Sequence, residues 1–261
     1  MHGEAFVVTG AGGGIGRRIS ERLSKRGLVI ALDTNKEALR WTDMSSTSSH
    51  LVAIAGDAAD DTILESVLER VSDASTLRGW VNNASVFRDI DLHTSSSTDM
   101  YQLVQTNLAP AIAGCRCAVR SFLKAGVPGA IVNISSHQAQ RPVPGALAYA
   151  TSKSAIEGLT RAVAVDYGPA GIRCNALALG SIETDRSSEH LSNMSEKDRD
   201  AVLSSLARIQ PLMPFGSTDD VADAVEFLVS DSSRFLSGTV ISLDGARAAH
   251  GDDPESRNVL E

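Results

Sequence analysis

The sequence predicts an α/β fold: one doubly wound sheet of about seven parallel strands flanked by helices, in a single domain over residues 1–249. Three observations predict it. Short apolar runs alternate with longer amphipathic stretches, and the runs are continuous in Val, Ile, Leu and Ala. The first run also breaks into a glycine-rich turn that opens a helical pattern. Continuous runs of this kind mark strands buried on both faces, and alternation of strand with helix marks a parallel sheet covered by its crossovers.

In order along the chain, the first strand is expected over residues 5–9 and a helix over 14–26. Strands follow at 28–32 and 51–55, separated by a Ser- and Thr-rich stretch, 43–50, that reads as a surface loop. A helix over 62–71 leads to a strand at 79–81, and a long helix over 99–125 to a strand at 130–134. The pattern continues with a helix over 149–167 and a strand over 172–177. After an irregular polar stretch, 183–193, helices are expected over 194–209 and 219–230, then a last strand over 240–243. Residues 250–261 form a polar tail, either disordered or docked on a neighbouring subunit, and neither repeat nor linker interrupts the rest.

The 261 residues are 43% hydrophobic and 21% charged, enough for a sizeable core. A formal net charge of −8 repels phosphate backbones and argues against a nucleic-acid partner. Cys115, Cys117 and Cys174 lack both metal-site and secreted-type spacing and read as reduced packing residues, and no metal is expected. The apolar start is too short for a secretory signal, and no run reaches the eighteen or so apolar residues of a membrane span. A soluble cytoplasmic protein acting on a small molecule is the expectation.

The turn after the first strand reads Thr9-Gly10-Ala11-Gly12-Gly13-Gly14-Ile15-Gly16. Glycines let a backbone turn tightly and approach a pyrophosphate, and a helix N-terminus offers free N–H groups and a positive dipole. The spacing is Gly-x-x-x-Gly-x-Gly, from Gly10 through Gly14 to Gly16, not the strict G-x-G-x-x-G. Asp33 follows the second strand, nineteen residues after Gly14. A carboxylate there accepts from ribose hydroxyls and repels a 2′-phosphate, which favours NAD over NADP.

Tyr149 and Lys153 stand four residues apart, on one face of an expected helix, and Ser136 lies thirteen residues before the tyrosine. An ammonium beside a phenol favours the phenolate, as does the positive end of a helix dipole. Such a phenolate can take the proton of an alcohol while a serine hydroxyl holds the same oxygen. His137, directly after that serine, is either an exposed loop residue or a substrate contact, and Gln138 is expected to help shape the pocket.

Taken together, these motifs resemble the short-chain dehydrogenase/reductase family in its single-domain branch of roughly 250 residues, a Rossmann fold, over residues 5–245. The matching pieces are the glycine turn, Asp57, Asn82-Asn-Ala-Ser85, Asn107, Ser136, Tyr149-x-x-x-Lys153 and the stretch 175–184. The resemblance implies that Gly10, Gly12, Gly14, Ile15 and Gly16 cradle the cofactor, with Asp57 and Ala58 at the adenine and Asn83 and Ala84 along the adenosine. It further implies that Asn107 kinks the long helix and holds a relay water, that Lys153 contacts the nicotinamide ribose, and that Ile182 and Thr184 meet the carboxamide. The implied activity is NAD-dependent interconversion of a secondary alcohol and a ketone in a homotetramer, less often a homodimer. A non-catalytic dinucleotide-binding regulator, an NADPH-dependent carbonyl reductase and a dehydratase or epimerase are the alternatives. Three departures stand out: Ser85 where the family has glycine, Leu179-Gly180 for Pro-Gly, and Ala246 for the last glycine of Asp-Gly-Gly. Loss of the proline frees one backbone angle of the loop over the nicotinamide.

Overall fold

Seven parallel strands form the sheet in the order β3-β2-β1-β4-β5-β6-β7. They span Gly3–Thr9 (β1), Leu28–Asp33 (β2), Leu51–Ala55 (β3), Ser75–Asn82 (β4), Gly129–Ser136 (β5), Ile172–Leu179 (β6) and Val240–Leu243 (β7). The computed structural model describes residues 3–251 other than 89 and 214, without the side chains of 72–74, 186 and 190. Most of the expected tail therefore lies outside the described residues.

The helices are Gly14–Leu23 (α1), Trp41–Met44 (α2), Asp61–Ala74 (α3), Ser97–Ala125 (α4), Leu147–Tyr167 (α5), Asp185–Ser192 (α6), Glu196–Ile209 (α7) and Thr218–Val229 (α8). Successive side chains of a strand point to opposite faces, and the core divides accordingly. Phe6 and Val8 of β1 pack with Ile19 and Leu23 of α1 and with Val221 and Val225 of α8. Ala5 and Val7 pack on the other face with Leu64 and Val67 of α3 and Val119 and Phe122 of α4. Each central strand is thus buried twice, which is why its sequence carries no polar alternation.

Two stretches expected to be irregular are ordered. Residues 43–50 hold the end of α2 and a 3₁₀ turn, Ser48–His50. The anchor is Trp41, just upstream, buried with its indole Nε1 donating to the Ala11 carbonyl at 2.9 Å. Residues 183–193 contain α6, capped by Thr184, whose Oγ1 accepts from Ser187 N at 3.3 Å. An eight-residue polar helix has no apolar period to betray it, and its caps carry the signal instead. The first helix ends three residues sooner than expected, in a turn where Arg26 N donates to Leu23 O at 2.9 Å.

A buried polar chain runs beneath the central strands. Trp80 Nε1 donates to Asn82 Oδ1 (2.8 Å), Asn82 Nδ2 to Asn133 Oδ1 (2.8 Å), and Asn133 Nδ2 to Thr160 Oγ1 on α5 (2.9 Å). Helix α4 crosses this chain at Gly114, where a Cβ would overlap Asn82 Oδ1 and stand 2.6 Å from Trp80 Nε1. Gly114→Ala should therefore cost about 1–3 kcal/mol of stability in urea unfolding, and wild-type stability would show that α4 can withdraw without loss.

Candidate active site

The sheet reverses its winding between β1 and β4, and a crevice opens beyond the carboxyl ends of these two strands. A cavity of about 810 Å³ fills it, lined among others by Gly10, Asp33, Asp57, Ala58, Ala84 and Ser85. Its walls are built from the ends of β1–β4 and one face of α4. Ser136, Tyr149 and Lys153 lie outside that lining, on β5 and α5.

Thr9 and Asn83 tie the floor together. Thr9 Oγ1 accepts from the backbone N–H groups of Asn83 and Ala84, each at 3.1 Å. Asn83 Nδ2 in turn donates to the carbonyls of Thr9 (3.0 Å) and Gly10 (3.1 Å). The turn has no room for a side chain at some of its glycines, most plainly at Gly10 and Gly16. Gly10 has φ +66°, and a Cβ there would stand 2.8 Å from Ala84 Cα. A Cβ at Gly16 would overlap the Gly10 carbonyl oxygen. Ile15 packs into the core beneath the turn, and Ala58 is buried against the opposite cluster.

Helix α1 begins at this turn with Gly13 as N-cap, no capping side chain and no acidic residue in its first turn. Asp60, Ser96, Thr184, Ser195 and Ser217 cap α3, α4, α6, α7 and α8 with side-chain oxygens. The N–H groups of α1 are left for an outside acceptor, as a pyrophosphate site requires. Asp33 closes the turn's far side: Oδ2 accepts from Gly12 N (2.8 Å) and Oδ1 from Asn35 N (2.9 Å). Asp57 Oδ1 accepts from Ala59 N at 2.8 Å and is exposed. The residues present therefore fit a dinucleotide.

At the other end, Ser136 is the last residue of β5 and Tyr149 the third of α5, with Lys153 one turn further on. The Ser136 hydroxyl is near enough to the Tyr149 phenol to favour its ionised form. Lys153 is 2% exposed, with Nζ 5.3 Å from the tyrosine ring centroid and donating to the Ile134 carbonyl at 2.8 Å. Burial pushes its pKa down to about 8. Tyr149 differs from the expectation of a lowered pKa. Burial raises it, and the opposing pull comes from the hydroxyls of Ser136 and Ser85. The ammonium lies over the ring and is held by a carbonyl, so desolvation of the phenolate dominates.

Asn107 is buried in α4, its Oδ1 accepting from Val86 N at 2.8 Å and its Nδ2 donating to Leu103 O at 3.1 Å. Helix α4 runs continuously past it, and Asn107 anchors the loop after β4. His137 is buried rather than loop-exposed. Its Nδ1 pairs with the Leu179 carbonyl at 3.2 Å, and burial and Arg247 lower its pKa. The neutral ring then donates through Nδ1, leaving Nε2 a buried acceptor without a partner, as is Gln138 Oε1. Thr184 lies against the turn, 3.5 Å from where a Cβ of Gly14 would be, and Ile182 bridges to Gly216. Leu179, in place of proline, stays in the ladder between Ser136 and Leu243, and Gly180 N donates to Leu243 O at 3.0 Å. The loop is thus held despite the freed angle.

One part of the site carried no motif. Glu157, buried on α5, accepts from Ser135 Oγ (3.0 Å) and Gln140 Nε2 (3.3 Å), tying the end of β5 and the turn after it to the helix of Tyr149. A glutamate four residues after Lys153 was its sole signal.

The family described as enoyl-(acyl carrier protein) reductase matches residues 10–246. The chain is 34% identical to 2-(R)-hydroxypropyl-CoM dehydrogenase of Xanthobacter autotrophicus, over 93% of this chain and 98% of that protein. It is 33% identical to carbonyl reductase family member 4 of Danio rerio, over 92% and 95%. Among solved structures, 4-hydroxyisoleucine dehydrogenase complexed with NADH superposes with a TM-score of 0.84 at 25% identity, covering 95% of this chain and 100% of that one. A dinucleotide-fitting crevice, a tyrosine with a buried lysine over its ring and relatives over nearly the whole length lead to one conclusion: the chain belongs to the short-chain dehydrogenase/reductase family and is an NAD(P)-dependent oxidoreductase that transfers hydride at a CH–OH or C=O group.

Proposed function

We propose that the chain is an NAD-linked dehydrogenase that interconverts a secondary alcohol and a ketone through Ser136, Tyr149, Lys153 and Asn107. The observation that carries this reading is the meeting of the Tyr149 hydroxyl with Ser136, one helical turn from a buried ammonium. Bound NAD supplies the carbon that accepts hydride, chemistry no side chain offers. The protein's share is alignment and proton handling. Tyr149 takes the alcohol proton in oxidation and returns it in reduction, while Ser136 holds the same oxygen. Lys153 has three N–H donors and spends one on Ile134, which leaves two for the nicotinamide ribose hydroxyls. Asn107 fixes the loop over the cofactor through Val86.

Along the crevice, the amides of Gly13 to Gly16 at the N-terminus of α1 take the pyrophosphate, with Gly10, Gly12, Gly14 and Ile15 shaping the turn. Asp57 and Ala58 serve the adenine, Asn83 and Ala84 the adenosine, and Ile182 and Thr184 the carboxamide. Asp33 favours NAD because its carboxylate faces the position of a 2′-phosphate, while nearby arginines are engaged. Arg17 pairs with Glu21 at 2.9 Å and stacks on Trp41, and Arg40 pairs with Glu37 at 2.8 Å. A relative of known structure, 4-hydroxyisoleucine dehydrogenase, is complexed with NADH, which agrees with this preference. The unpaired acceptors of His137 and Gln138 suit a substrate that brings hydrogen-bond donors.

The setting follows from the surface. Among the described residues no helix is long and apolar enough to cross a membrane, and the three cysteines are free and buried, which suits a reducing cytoplasm. Tyr101 and Ile112 of α4 and Val165 of α5 are exposed apolar residues that a homotetramer, or a homodimer, would cover. Residues 250–261 are assigned to a tail beyond the 1–249 domain.

Tyr149→Phe should lower turnover by about 10²–10⁴-fold on a secondary-alcohol panel while NADH binding, followed by fluorescence, persists. Undiminished turnover would remove the tyrosine from the chemistry. Asp33→Ala should narrow the NAD-over-NADP affinity ratio by about tenfold or more in calorimetric titration, and an unchanged ratio would place the discrimination elsewhere. Lys153→Met removes the cation over the phenol, so ionisation of Tyr149, already raised by burial, should need still higher pH. The acid limb of the kcat/KM profile for alcohol oxidation should move upward; a limb that stays put would leave Lys153 a ribose contact alone.

A further inference from the structure

Ser85 is the departure from the family pattern that sits at the chemistry. The segment carrying it is pinned on both sides. Before it, Ala84 N donates to Thr9 Oγ1 at 3.1 Å; after it, Val86 N donates to Asn107 Oδ1 at 2.8 Å. Two residues on, the Phe87 ring meets the Tyr149 ring edge-on, with centroids 5.2 Å apart and planes at 72°. These three contacts fix residue 85 beside the tyrosine and at the wall of the main cavity. From there its hydroxyl acts on the Tyr149 phenol in the same sense as that of Ser136, favouring the ionised form.

We propose that Ser85 is a further catalytic residue, a second hydroxyl donor to the Tyr149 oxygen opposite the loop of Ser136. The proposal rests on Tyr149 being the acid–base group of the reading above. A hydroxyl donating to an ionised oxygen makes a stronger bond than one between neutral groups, so it favours the phenolate over the phenol. Ser136 must also hold the substrate oxygen, and its pull on the phenol is then shared. Ser85 has no such second duty and supports the phenolate throughout. Its proton is not transferred; only the alcohol proton moves, to Tyr149. A glycine at this position supplies no such donor, so the tyrosine of this chain has an aid that the usual Asn-Asn-Ala-Gly sequence lacks. The aid answers a specific problem, since burial works against ionisation of Tyr149 and the ammonium of Lys153 lies over the ring.

The test is the ionisation of Tyr149, read as tyrosinate difference absorbance against pH. Wild type, Ser85→Ala, Ser85→Gly and Ser85→Thr are each compared with the same protein carrying Tyr149→Phe, so that only this phenol is followed. Loss of the hydroxyl in the Ala and Gly variants should raise the midpoint by about one pH unit, a tenfold change in ionisation, and Thr should restore it. Turnover in alcohol oxidation below the midpoint should fall about tenfold with the same two variants. Coincident titrations of wild type and Ser85→Ala would overturn the proposal. So would a change confined to NADH affinity, which would make Ser85 a cofactor contact. The titration needs no substrate, so the two readings fail separately. A midpoint that moves in a protein without alcohol turnover would defeat the proposed function and leave the role of Ser85 toward Tyr149 standing.

Discussion

The knot between Thr9 and Asn83 governs the geometry on which everything else depends. One threonine hydroxyl accepts two successive backbone N–H groups, and one asparagine amide returns to two successive carbonyls. Four hydrogen bonds thereby lock the carboxyl end of β1 to that of β4 where the sheet reverses its winding. A parallel sheet alone sets the strands side by side without specifying how their terminal loops face each other. Here the knot sets that relation, and it acts in two directions. It fixes the glycine turn whose free amides suit a pyrophosphate, and it launches the loop of residues 84–87 toward Tyr149.

Further anchors complete the chain of constraint. Asn107 receives Val86 N and holds that loop from the α4 side. Glu157 receives Ser135 and Gln140 and holds the end of β5 against α5. Ser136 and Tyr149 come from elements eleven residues apart at their nearest ends, β5 and α5. Their approach is set by buried polar bonds, whose loss costs more than their formation returns. The electrostatics are poised rather than relaxed. A buried ammonium with one carbonyl partner and a half-buried phenol beside two serine hydroxyls each resist their charged forms. In the proposed function, ribose and substrate hydroxyls would bring the additional hydrogen bonds that such charges need.

Much of this was legible in the residues themselves. Double burial wrote the strands as unbroken apolar runs, and all seven appear in the sheet. The sequence also carried Gly10 to Gly16, Asp33 and the four-residue step from Tyr149 to Lys153, since each depends on local backbone geometry. What it hid was set by distant partners. Helix α6 is made by a Thr184–Ser187 cap, and Trp41 orders its neighbourhood by reaching Ala11, thirty residues away. His137 is polar and follows a strand end, yet the Leu179 carbonyl draws it inside. The phenol departs from expectation for the same reason: i, i+4 spacing puts Lys153 on the correct face but does not say that Nζ ends over the ring.

In the proposed function, one crevice aligns a dinucleotide along the knotted turn and ends it at the Tyr149 hydroxyl. A crystal structure of the protein with NADH tests it most directly. The pyrophosphate should lie on the N–H groups of Gly13 to Gly16, the adenosine ribose on Asp33, and the nicotinamide C4 facing the space between Ser136 and Tyr149. A nicotinamide seated away from Tyr149, or a dinucleotide that leaves the α1 amides unused, would contradict it.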